Sequence, residues 1–115
     1  MTDRVFNVAK DFSAYPGGRY RKDGPHSGEE LRDILVTLLR DVSNSGDRLV
    51  IMLDGTMGYG ASFLEEAFGG LVRECGYSKD QLQELMVLRA DNSVYVPYKE
   101  LAGRYILEAA EPANA

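Results

Sequence analysis

At 115 residues, with a formal net charge of -5 and 44% hydrophobic content, the chain is suited to one soluble globular domain with a single core and is too short for two. Its acidity argues against duplex nucleic acid or another polyanion as the main ligand. The lone Cys75 excludes an internal disulfide and a multi-cysteine metal site and suits a reducing, cytoplasmic setting; no stretch reads as a signal peptide or a bilayer span, so neither a membrane nor a cofactor or metal is expected.

The first segment, RVFNVAKDF, reads as a strand, with Val5, Asn7 and Ala9 facing one way and Phe6 and Val8 the other. Glycines and prolines exclude a regular helix from SAYPGGRYRKDGPHSG, although Arg19 to Lys22 suggest a short extended piece pairing back with the first strand. The clearest helix follows. Ser27 and Glu30 form the S-x-x-E capping pattern, and Leu31, Ile34, Leu35, Leu38, Leu39 and Val42 make one apolar stripe, with Glu29, Arg32, Asp33, Arg40 and Asp41 largely opposite. Gly46 supplies the left-handed stop.

RLVIMLD is an unbroken apolar run, as expected of a central strand covered on both faces. After the loop GTMGYGAS, Ser62 is the expected N-cap of a second helix that buries Phe63, Leu64, Ala67, Phe68, Leu71 and Val72. Gly69 and Gly70 each cost that helix about 1 kcal/mol relative to alanine, which is understandable if another element passes close by. Ser78 and Gln81 can cap a brief turn, ELMVLRA reads as another strand, and a last helix from Pro97 turns Tyr98, Leu101, Ala102, Tyr105, Ile106 and Ala109 inward. Residues 1–110 therefore read as a single layered α/β domain, a mainly parallel or mixed sheet of about four strands with about three main helices, and residues 111–115 as a frayed tail.

Ligands in open parallel sheets gather beyond the carboxyl ends of the strands. That places Asp54, Thr56, Tyr59 and the Ser62 helix start at one candidate edge, with Glu65 and Glu66 in the first helical turn, where they suit the macrodipole and repel a bound phosphate. No G-K-[ST] follows, so the loop is not a P-loop. The second candidate is the basic loop. Arg19, Arg21 and Lys22 lead to the Ser27 helix start, and Arg19 and Arg21 alternate around Tyr20, so an extended chain would aim both at one anion or at the domain's own carboxylates. His26 reads as a turn residue, and Cys75, near a helix C-terminus, as an idle thiol. No nucleophile has an oriented base, so no enzyme is expected.

GGRYRKDGPHSGEELR and LDGTMGYGASFLEEAFGGLVRECG resemble the bacterial STAS-like domain proteins, known as domain of unknown function 4325. The resemblance implies kinship with small α/β anti-sigma-factor-antagonist modules, in which a serine opening the helix after a central strand is phosphorylated by a histidine-kinase-like ATPase. Ser62 holds that position here, although YGASFLEE lacks the aspartate directly before the serine. What the resemblance implies is a non-enzymatic regulatory, protein-binding module partnered by such an ATPase. The alternative is a small-ligand module that holds a phosphate-bearing molecule or nucleotide between Arg19, Arg21 and the two helix starts.

Overall fold

The computed structural model describes residues 2–111, so of the expected tail only Glu111 lies within the described residues. Strands β1 (Asp3–Asn7), β2 (Arg48–Met52) and β3 (Met86–Arg89) form a parallel sheet in the order β1-β2-β3. Helix α1 (Gly28–Ser45) links β1 to β2. The link from β2 to β3 carries α2, a continuous helix over residues 61–73, and α3 (Lys79–Leu85); α4 (Val96–Ala110) ends the fold.

The sheet has three strands among the described residues, not about four, and the basic loop explains the difference. Arg21–Asp23 form a 3-10 turn, closed by Asp23 N–H to Tyr20 O at 2.9 Å and Tyr20 N–H to Asp23 Oδ2 at 3.2 Å. That turn does not pair with β1. The first strand is also shorter than its composition suggests. Asn7 Oδ1 accepts from Lys10 N–H and Asp11 Oδ2 from Asn7 N–H, which winds Val8–Phe12 into a wide π turn. Such local side-chain bonds offer the backbone an alternative to the ladder. The two expected helices after β2 become three, because Ser78 and Gln81 cap each other reciprocally and extend the expected turn into α3, delaying β3 to Met86.

In register, Phe6 pairs with Ile51 and Leu49 with Met86, and these residues join the core. On the other face lies the row Val5, Val50 and Val87, with Val5 60% and Val87 37% exposed. The helices therefore cover one face of β2, not both. Val50, between Val5 and Val87 in the row, is nevertheless buried. In α1, Leu31, Leu35, Leu39 and Val42 are buried as expected, each full burial contributing about 1.5–3 kcal/mol, whereas Ile34 is exposed and Arg32 turns inward.

The second helix begins differently from the sequence expectation. Gly60 is its N-cap and offers no side-chain bond, while Ser62 lies exposed in the first turn. Further along, Glu65–Gly69 widen into a π segment between Ala61–Leu64 and Gly70–Arg73. The apolar pairs 63/64, 67/68 and 71/72 recur every four residues, so an unbroken 3.6-residue helix would rotate each pair about 40° past the last. One wide turn absorbs that drift and keeps Phe63, Leu64, Ala67, Phe68 and Leu71 in the core.

Candidate functional site

The C-terminal end of the sheet gathers the residues that the sequence singles out, but most of them act within the fold. Asp54 Oδ2 accepts Asn92 N–H at 3.0 Å, tying the loop after β2 to the loop after β3, and its Oδ1 is buried without a partner among the described residues. Thr56 is buried, its Oγ1 accepting Gly58 N–H at 3.2 Å and its carbonyl accepting the Tyr95 hydroxyl. Tyr59 is also buried and donates its hydroxyl to Leu53 O at 2.8 Å; burial raises its pKa, holding it neutral. Gly55 and Gly58 make the loop passable, with φ of 102° and 111°. Thr56 and Tyr59 thus brace the loop from below.

What the loop presents outward is Met57, 80% exposed, with its N–H bonded to Ala14 O at 2.8 Å. That bond sets it beside Tyr15, which is 69% exposed, while Val94, next to the loop-bracing Tyr95, is 66% exposed. Sequence reasoning missed Met57, although a large apolar residue in a glycine-rich turn was a visible signal. From the exposed His26 inward, His26, Phe12, Phe63, Tyr59, Tyr98 and Tyr95 form a chain of ring contacts with centroids 5.2–6.3 Å apart, of which Phe63 and Tyr59 are buried. This chain joins the basic loop to the start of α4 across the sheet end.

The basic residues do not share one anion. Arg19 turns inward, with Nη1 at 2.5 Å from Glu65 Oε1 and 3.2 Å from Glu66 Oε1. Arg21 instead pairs with Asp33 at 2.7 Å, because the 3-10 turn breaks the extended alternation that would have aligned the two. Lys22 is exposed, with Nζ 5.5 Å from the centroid of the Tyr20 ring.

Adjacent residues of a helix ordinarily point apart, yet in the π segment Glu65 and Glu66 both reach Arg19 and also Arg73, and Glu66 binds Arg32 of α1. Burial would raise the Glu65 carboxyl, but hydrogen bonds from Arg73 and Arg19 hold it below the ordinary carboxylate value. The hydrogen bond to Glu65 correspondingly raises the Arg19 guanidinium. Three guanidiniums thus answer the two carboxylates that the sequence reading had set against a phosphate.

The glycine pair fits this network. A methyl on Gly69 would lie 2.6 Å from Glu65 Oε2, and one on Gly70 2.9 Å from Arg32 Cδ. Both glycines leave room for ion-pair side chains lying across the helix.

The N-terminus of α1 is closed by its own loop. Gly28 N–H donates to Gly18 O, Glu29 N–H to Arg19 O, Glu30 N–H to the Ser27 hydroxyl and Leu31 N–H to Ser27 O, at 2.9–3.1 Å. Ser27 is a fully buried cap, and the amides that would receive an oxyanion are already bonded. Cys75 is exposed, and desolvation raises its thiol pKa.

Fold and site together define a small two-layer α/β domain whose loops are gathered and braced at the C-terminal end of a parallel sheet. The family model for the STAS-like domain of unknown function (DUF4325) matches residues 27–95, and the chain belongs to that family. No curated protein and no solved structure matches it. Among the described residues no helix is long and apolar enough to cross a membrane.

Proposed function

We propose that this chain is a non-enzymatic regulatory module that binds a protein partner through the loop edge, the partner being a histidine-kinase-like ATPase in a partner-switching arrangement. The observation that carries the reading is Met57, 80% exposed on a loop that Tyr95, Tyr59 and Ala14 hold in place. Exposed apolar side chains on a braced loop suit docking without reordering, which keeps the entropic cost of association low. Ser62 has its hydroxyl exposed in the first turn of α2, where a phosphate would face the positive end of the helix. A reducing, cytoplasmic setting suits the lone Cys75.

The test is to recover the tagged chain from its own host, as the parent and as Met57→Asp. An ATPase-domain protein should accompany the parent and be depleted at least tenfold with Met57→Asp, at an unchanged melting temperature. Equal recovery by both forms would refute the assignment of this edge.

The small-ligand alternative keeps one supporting observation, the helix start at Ala61, which no side chain caps. Stabilisation by inorganic phosphate or ATP in a thermal-shift assay, lost in Arg19→Ala, would favour it.

A further inference from the structure

Gly103 lies within α4, a position where glycine is among the least favourable residues. A methyl there would meet nothing within 4 Å among the described residues, whose packing thus gives no reason for it. It lines a groove of about 510 Å³ between α3 and α4, together with Leu82, Met86, Leu88, Ile106 and Leu107. Leu107 is 47% exposed at this groove.

Beside the groove runs β3, the terminal strand of the sheet. Leu53 N–H donates to Arg89 O at 2.9 Å, so strand alternation turns the N–H and C=O of Leu88 the other way, toward an edge that is unpaired among the described residues. Lys79, Arg104 and Glu100 also line the groove, and neither cation takes part in an ion pair among the described residues. The groove thus combines an apolar floor, a free backbone edge and two unanswered cations in a chain of net charge -5.

We propose that this groove and the free edge of β3 take an extended segment of a partner protein, added as a fourth strand. The segment carries apolar side chains at alternate positions, which enter the groove, and an acidic residue at its flank, which meets Lys79 or Arg104. Backbone pairing supplies affinity, and the groove supplies specificity. Gly103 gives the incoming side chains room against α4. A second copy of this chain fits less well, because it would bring the same two cations to the same rim with only Glu100 to answer them. The surface shares no residue with the loop edge, so the two readings stand or fall separately.

Panning the full chain against phage-displayed random decapeptides tests the proposal. Enriched sequences should alternate apolar residues and carry Asp or Glu near one end. A synthetic peptide of the enriched sequence should shift the backbone amides of Leu88 and Leu107 in nitrogen–proton correlation spectra, and Leu107→Glu should weaken it at least tenfold. Gly103→Gln separates docking from folding: it should raise the melting temperature, as a good helix former at an open position, while weakening the peptide. The proposal is overturned by no enrichment over blank beads, by peptides that bind both variants as well as the parent, or by a dimer in sedimentation that Leu107→Glu dissolves.

Discussion

Gly70→Ala should destabilise the domain even though it places a better helix former in a helix. The backbone at Gly70 is right-handed helical, with φ -62° and ψ -25°, so alanine fits the conformation and should gain about 1 kcal/mol of propensity. Against that gain stands the added methyl, 2.9 Å from Arg32 Cδ and 3.0 Å from Arg32 Nη1. Arg32 cannot swing away cheaply, because its side chain is only 13% exposed and its head is bonded to Glu66. Overpacking of this kind costs about 1–3 kcal/mol, so the net loss should be about 1 kcal/mol, or about 4 °C in melting temperature. In an Arg32→Ala background the obstacle is gone. Glu66 keeps Arg19 at 3.2 Å and Arg73 at 3.5 Å there, so its carboxylate is not left unpaired. The same Gly70→Ala change should then stabilise by about 1 kcal/mol. Chemical denaturation of the four proteins in the cycle should therefore give a coupling of about 2 kcal/mol, well beyond the additivity expected of independent sites. A Gly70→Ala variant that stabilises both backgrounds equally would show that Arg32 does not lie over the glycine.

Ser62→Ala should change stability by less than about 0.5 kcal/mol, because Gly60 and not Ser62 is the helix cap; a loss near 1 kcal/mol in denaturant titration would restore the capping role. Tyr95→Phe removes the hydroxyl bonded to Thr56 O and should cost about 1 kcal/mol, with faster amide exchange at Met57 and Gly58; unchanged exchange would mean that the loop is braced elsewhere. Bonds from Thr2, Ser45 and Arg4 hold the Asp47 carboxyl well below its ordinary value. Its stabilising contribution is therefore complete above the ordinary carboxylate pKa of about 4 and is lost as pH falls through its lower folded value. The melting-temperature gap between the parent and Asp47→Asn should accordingly be widest at neutral pH and close on acidification; a constant gap would contradict this.

The elements that were legible in the sequence are those whose stabilisation is local and periodic. The α1 stripe of Leu31, Leu35, Leu39 and Val42 and the Ser27 cap needed only helical spacing and one hydroxyl, and both are present, with Ile34 alone of the predicted stripe exposed. The run of β2 gave its place in the sheet but not its surroundings. Continuous hydrophobicity looks the same whether helices cover one face of a strand or both. The site was less legible because long-range pairing decides it. Arg19 reaches Glu65 and Glu66 across more than forty positions, with contacts that no local pattern encodes. The four-residue recurrence of apolar pairs in α2 was a readable signal for the π segment. Within that segment two adjacent carboxylates meet one guanidinium.

Arg19 is bonded to both Glu65 and Glu66 and so ties the basic loop to α2. Ser62 lies three and four positions before these glutamates, the spacing of neighbours on one helical face. Within the proposed switching role, a negative charge on Ser62 would compete with Glu65 for the Arg19 guanidinium, since charge-assisted bonds to phosphate or carboxylate are of similar strength. Ser62→Asp should add about 0.3–1 kcal/mol to the helix through its dipole and at the same time loosen the loop. Amide exchange should then quicken at Gly17 and Gly28, whose N–H groups bond across the loop to His26 O and Gly18 O. Arg19→Ala should quicken the same amides, and adding Ser62→Asp to it should change them little further, because the competed group is already gone. Additive effects in the double variant, or an unchanged loop in Ser62→Asp, would show that charge at Ser62 does not act through Arg19.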